Sequence, residues 1–255
     1  MNDELIKIAK SVRRRIFDFK TSSGSGHLAS SLSVVEILVS MYCDPKTLFD
    51  PDQDILIFSK AHASPALYPI LVDRGLVDAS ELDKYCRKGG ALRLHSDSTI
   101  PGCYYVGGSL GNGIGYAAGL AFQNPRNVFV ILGDGELYEG SVWESLTFIA
   151  HHQMKNMKLI VDRNQLCILG ATEELLRLEP LKDKFAAFGF NVAEVDGHDF
   201  DSLREVFGRM PDRPEVIIAN TVKGKGVSYM EGKWEYHTII PKDPELIRIG
   251  KGELS

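Results

Sequence analysis

Cysteine is scarce and scattered. Cys43, Cys86, Cys103 and Cys167 are the four thiols; they form no metal-ligand spacing, and their scatter fits a reducing, cytoplasmic setting. No apolar run approaches the ~18–20 residues that span a membrane. The opening residues, Met1-Asn2-Asp3-Glu4, are acidic and lack an apolar core, so they do not read as a signal peptide. A basic run or stripe is missing too. Lys+Arg 29 against Asp+Glu 34 leaves a net charge of −5, which gives nucleic acid no footing. There is no internal repeat, low-complexity segment or interior linker. What remains is 255 residues with the apolar content, 44%, and charge, 25%, of an ordinary soluble globule. The length prior allows one large domain or two small ones.

What is present centres on one stretch. Val128-Phe129-Val130-Ile131-Leu132 is a run of five apolar residues, the mark of a strand buried on both faces. Gly133 and Gly135 bracket Asp134 at its end, where glycine permits a tight turn and close approach of backbone to a ligand. Val142, Trp143, Leu146 and Ile149 recur at helical spacing. Leu159-Ile160-Val161 reads as a second buried strand, and Asn164 lies just beyond it. Strand, crossover helix and strand make a right-handed parallel unit, which brings Asp134 and Asn164 out on one edge of the sheet. As neighbours, the two strands lie ~4.8 Å apart. Two hard oxygen ligands so placed suit Mg²⁺, which completes its shell with diphosphate and water. The carboxyl edge of a parallel sheet is where such folds bind ligands. Gly-Asp-Gly alone reads equally as a plain turn. The thirty-residue step to an Asn after the next strand favours the ligand pair.

Elsewhere, Leu5, Ile8, Ala9, Val12 and Ile16 share one helical face. The run from Ser22 to Ser30 is a Gly/Ser-rich turn that holds His27 at its exit. Ser33 with Glu36 reads as a capping box for a helix carrying Val34, Ile37, Leu38 and Met41. Residues 54–59 read as the first strand. Ser64 as N-cap and Pro65 at N1 then start a helix bearing Leu67, Ile70 and Leu71, which leaves His62 at a strand-to-helix junction on the ligand edge. Ser80 reads as the cap of another short helix. The irregular stretch from Gly89 to Gly108 contains His95; a loop of that length in a compact domain is usually functional. Gly111, Gly115 and Gly119 recur at four-residue spacing, which allows close packing of helix on sheet. They are no dinucleotide fingerprint, because no strand directly precedes them. Residues 190–195 and 214–219 are two further strands. His198 reads as structural, and His151-His152 as surface. Lys223-Gly224-Lys225-Gly226 lacks P-loop order. Beyond Pro241 only a short helix is indicated.

Gly133-Asp134-Gly135 with Asn164 resembles the thiamine diphosphate motif, and the longer run from Gly133 to Glu144 resembles transketolase specifically. Ser25-Gly26-His27, Lys60-Ala61-His62, Gly108-Ser109-Leu110-Gly111 and the histidine after Lys-Gly-Lys-Gly, His237, are similar to elements of the same family. Two departures stand out. Leu28-Ala29 occupy positions where the family most often has Pro and Gly, a variant also reminiscent of deoxyxylulose-phosphate synthase. Tyr138 replaces the usual Asn or Gln before the family's Glu, here Glu139.

The resemblance implies a doubly wound, mainly parallel α/β sheet with helices on both faces, a single diphosphate-binding domain over residues 1–255. It implies thiamine diphosphate and Mg²⁺ (or Ca²⁺ or Mn²⁺) as cofactors. Asp134, Asn164 and the backbone oxygen of Leu166 would hold the metal. His62, Gly108, Ser109, Leu110, Gly135, Glu139, Asn164 and His237 would line the cofactor. His27, His95 and His237 would be catalytic, together with Glu139, which meets the activating Glu across a subunit interface. That activating Glu belongs to a pyrimidine-binding domain. Eighteen residues follow His237, far below the ~50 of a minimal domain, so a partner chain carrying that domain and a C-terminal domain is expected, in an α2β2 complex. The expected activity is two-carbon ketol transfer between sugars or sugar phosphates, with no nucleic acid or membrane partner. Two other readings stand beside it: a synthase of the deoxyxylulose-phosphate type, and a non-catalytic, cofactor-binding regulatory subunit.

Overall fold

The computed structural model describes residues 1–209 and 211–255. Five strands form one sheet: β1 (Ile55–Phe58), β2 (Val128–Gly133), β3 (Met157–Arg163), β4 (Asn191–Asp196) and β5 (Glu215–Asn220). Their order is β1-β2-β3-β5-β4, and each neighbouring pair is parallel. All five strands anticipated from apolar runs are present. The helices are α1 (Asn2–Ser23), α2 (Leu28–Leu32), α3 (Val35–Cys43), α4 (Tyr68–Asp73), α5 (Ser80–Asp83), α6 (Asn112–Ala121), α7 (Gly140–His151), α8 (Thr172–Leu175), α9 (Leu181–Ala187), α10 (Phe200–Phe207) and α11 (Pro244–Glu253).

Alternation along the strands sorts the core into two layers. Phe58, Phe129, Ile131, Ile160 and Ile217 pack with α1, α3 and α10 on one face. Ile57, Val130, Leu132, Val161 and Ile218 pack with α6, α7 and α9 on the other. Both faces are covered, which is why the central strands read as unbroken apolar runs. Among the described residues, no helix is long and apolar enough to cross a membrane.

Three local expectations need correction. Ser33 and Glu36 do not cap α3. The Ser33 hydroxyl donates to Asp162 at 2.7 Å, and Glu36 is bound to Arg13 and His198. Tertiary partners outcompete the local cap. Ser64 lies inside a 3₁₀ segment, Ala61–Leu67, and its hydroxyl bridges Ala61 O and Ser96 N. Nor does the Ser80 side chain cap α5; Asp78 accepts the Ser80 N–H instead. Similarly, the glycine that meets the sheet edge is Gly113. A Cβ there would stand 2.4 Å from the Ser59 hydroxyl, whereas Gly119 faces open space.

Candidate active site

The β2 and β3 strands end level, Gly133 opposite Asp162. Asp134 and Asn164 therefore emerge side by side at the carboxyl edge, as the strand–helix–strand order requires. Asp134 Oδ2 accepts from the Gln165 N–H at 2.5 Å and from Arg163 Nη1 at 3.2 Å; Oδ1 accepts from the Gly135 N–H. The Asn164 amide donates to Asp162 at 3.2 Å, and its oxygen accepts from the Leu166 N–H. Leu166 O accepts from Lys223 Nζ at 3.1 Å. Burial, and next the Asp162 charge, push the Asp134 carboxyl upward; Arg163, Lys223 and the Gln165 N–H oppose them. Carboxylate, amide and carbonyl oxygens keep further lone pairs, so the donor set suits a small, hard cation.

Above this edge opens a cavity of about 390 Å³. Four histidines converge on it from four segments. His27 heads α2, His62 follows β1, His95 comes from the long loop, and His237 ends the 3₁₀ turn Trp234–His237. The ring of His27 lies 5.1 Å from His62, 6.2 Å from His95 and 5.2 Å from His237. Burial, reinforced by neighbouring cations, depresses all four. His27 falls to about 4 and His237 to about 3; His62 lies well below its ordinary value, and His95 shifts in the same direction. Neutral imidazoles can donate from one nitrogen and accept at the other. Among the described residues, Nδ1 of His27 and of His237 are buried without a partner.

Glycine also fixes the entry to α6, next to Glu139. At Gly111, φ is +82°, and a Cβ would stand 2.6 Å from that of Glu139; only glycine allows this approach. Gly108, Leu110 and Gly135 line the cavity, and exposed Glu139 stands at its mouth. Ser109 stands apart from its neighbours Gly108 and Leu110. It is exposed and lies outside the cavity lining, since the turn into α6 carries it toward solvent.

Several site residues were not singled out from sequence. Glu136 accepts from the Ser59 hydroxyl, the Gly111 N–H and the Gly133 N–H, clamping the glycine loop to the Gly-Asp-Gly turn. Asp162, fully buried in β3, accepts from Lys60, Ser33, Thr221 and Asn164. Lys60 and Lys223 bring two buried cations to the cavity wall. A carboxylate inside an apolar strand was the available signal for Asp162. Lys-Gly-Lys-Gly was the signal for Lys223. Among the described residues, no cluster of three or more His, Cys, Asp or Glu is arranged for a metal ion.

Residues 5–251 match the family model for the transketolase thiamine diphosphate binding domain. The chain belongs to the transketolase family. It is 38% identical over 258 residues to an apulose-4-phosphate transketolase subunit of Actinobacillus succinogenes, covering 96% of this chain and 94% of that one. It is 37% identical to a 6-deoxy-6-sulfo-D-fructose transketolase subunit of a Clostridium species, over 85% of this chain and 84% of that one. The crystal structure of Campylobacter jejuni transketolase superposes with a TM-score of 0.89 at 27% identity, over all of this chain but 43% of the other. The match covers the thiamine diphosphate binding domain of the family, and the cavity lies at the carboxyl edge of its sheet.

Proposed function

We propose that the chain binds thiamine diphosphate with a divalent metal ion, Mg²⁺ in the first instance. Together with a partner subunit it transfers a two-carbon ketol unit between sugars or sugar phosphates. The observation that carries this reading is the convergence of four neutral histidines above the Asp134–Asn164–Leu166 edge. The relatives that share its length are named as transketolase subunits, which supports the partner.

In this reading Asp134, Asn164 and the Leu166 carbonyl hold the metal. The cofactor, when bound, supplies a carbon nucleophile and an electron sink. His62 and the backbone around Gly108, Leu110 and Gly135 hold its diphosphate end. His27, His95 and His237 sit where substrate hydroxyl and carbonyl oxygens arrive. Depressed basicity keeps them neutral near neutral pH, so each can donate a hydrogen bond to a carbonyl oxygen or accept one from a hydroxyl. Glu139 faces the partner, whose carboxylate activates the aminopyrimidine.

Calorimetric titration of thiamine diphosphate with Mg²⁺, with and without the partner, tests the proposal. Binding together with ketol transfer on mixing is the expected result. Tight binding with no transfer in any pairing indicates a regulatory subunit instead.

A further inference from the structure

We propose that His198, held by Glu36, which is itself paired with Arg13, is a positioning residue that fixes the Thr221–Gly226 segment and thereby sets Lys223 at the wall of the cavity. The inference rests on the cofactor-binding reading above. His198 follows β4, outside the cavity. Its Nε2 lies 2.8 Å from the backbone nitrogen of Val222, and its Nδ1 lies 2.8 Å from Glu36 Oε2. A backbone N–H can only donate, so Nε2 is the bare nitrogen and Nδ1 carries the proton, donating a hydrogen bond to the Glu36 carboxylate.

Glu36 is buried and also takes both Nη atoms of Arg13, and Arg13 Nη2 reaches Leu32 O at the end of α2. Burial alone would raise the Glu36 carboxyl; the bonds from His198 and Arg13 overcome it and hold the group at about 2. A buried ion pair adds little net stability against an apolar alternative. Its geometric role is plainer: it fixes the imidazole at a given place and in one tautomer.

What the imidazole then grips is the point where β5 has ended. Thr221 is tied to β3 through Arg163 O and Asp162. The Val222 N–H is tied by His198, and Gly224 N donates to Ala29 O of α2 at 3.0 Å. Lys223 lies between these anchors, 2% exposed, with Nζ on Leu166 O. A shift at Val222 moves the ammonium nearest the proposed metal ligands.

A double-mutant cycle tests this, read as thiamine diphosphate affinity with Mg²⁺ in the complex of chain and partner, and as kcat and KM for ketol transfer. His198→Asn keeps a donor for Glu36 but offers Val222 no acceptor. His198→Gln retains an acceptor near the Nε2 position. His198→Asn should weaken cofactor affinity about 10-fold or more, His198→Gln should recover most of it, and His198→Asn should cost nothing further in a Lys223→Met background. Fully additive effects overturn the proposal. So does a lower melting temperature for His198→Asn with unchanged affinity, or unchanged affinity in Lys223→Met itself. Retained affinity in Asp134→Ala would instead strike the cofactor-site reading, so the two failures are distinguishable. If His198→Asn does not fold, Glu36→Gln takes its place in the cycle, with the same coupling expected.

Discussion

Asp134 is the one carboxylate in the proposed metal set, and the residue scale is where the cofactor reading is most exposed to test. Asp134→Ala should lower Mg²⁺-dependent affinity for thiamine diphosphate by more than about 100-fold while the fold persists; near-wild-type affinity by calorimetry would sink the assignment. Leu166→Ala should matter far less, because only its backbone oxygen is used. His95→Ala should lower turnover by about 10²–10⁴ with little change in cofactor affinity. A weakened cofactor with unchanged turnover at saturation would reverse that role. The depressed histidines make a separate claim about pH. His27 at about 4 and His237 at about 3 stay neutral in the folded chain, while unfolded histidine takes up protons below about 6.5. The unfolded state then binds more protons, so stability present above that value is lost as pH falls through it toward the folded values. Melting temperatures of the cofactor-free chain should fall from about pH 7 to about pH 4.5, less steeply in His237→Gln; an equal slope in the variant would exclude His237 as a source. Much of the site was legible at this scale because strand–helix–strand order brings residues 134 and 164 together by topology. The Lys60–Asp162 pair was not, since its partners lie 102 residues apart and neither one signals the other.

At the scale of elements, the strands were legible because burial on both faces leaves an uninterrupted apolar signature. Helix starts were less so. Ser33 and Glu36 have the spacing of a cap, yet each is drawn to a tertiary partner, Asp162 for one and the Arg13–His198 pair for the other. Local spacing records what a side chain could bond, and only packing decides what it does bond. Asp162 shows the energetic side. It joins β3 to β1, α2–α3 and the segment after β5 through Lys60, Ser33 and Thr221. Replacing it by Ala leaves the Lys60 ammonium buried without its counter-charge. We expect Asp162→Ala to destabilise the chain by about 3–5 kcal/mol in chemical denaturation, and Asp162→Ala with Lys60→Met to recover part of the loss. A single-variant cost below about 1 kcal/mol, the scale of an exposed pair, would contradict this.

The whole molecule raises the question of what the cavity lacks. Among the described residues, three acidic side chains line it. Asp134 is paired with Arg163, and Glu136 is bound to Ser59, Gly111 and Gly133, which leaves Glu139 at the exposed mouth. None of these three is both free and enclosed where a ring could rest against it. Thiamine chemistry needs such a carboxylate beside the aminopyrimidine, and the proposed partner is where it comes from. Exposed Leu169, 72% accessible, and Ile168, 50%, belong to the loop that lines the cavity and give a partner apolar footing. The purified chain alone, saturated with Mg²⁺ and thiamine diphosphate, should therefore show no ketol transfer. Activity should appear on mixing with a chain that carries the pyrimidine-binding domain, in a complex with two copies of each. Glu139→Ala should weaken both assembly and the activation of the cofactor, seen as slower exchange of the thiazolium C2 proton by NMR, without unfolding this chain. Robust transfer by the chain in isolation would refute the two-component reading. Assembly and proton exchange both untouched in Glu139→Ala would move the interface away from the cavity mouth.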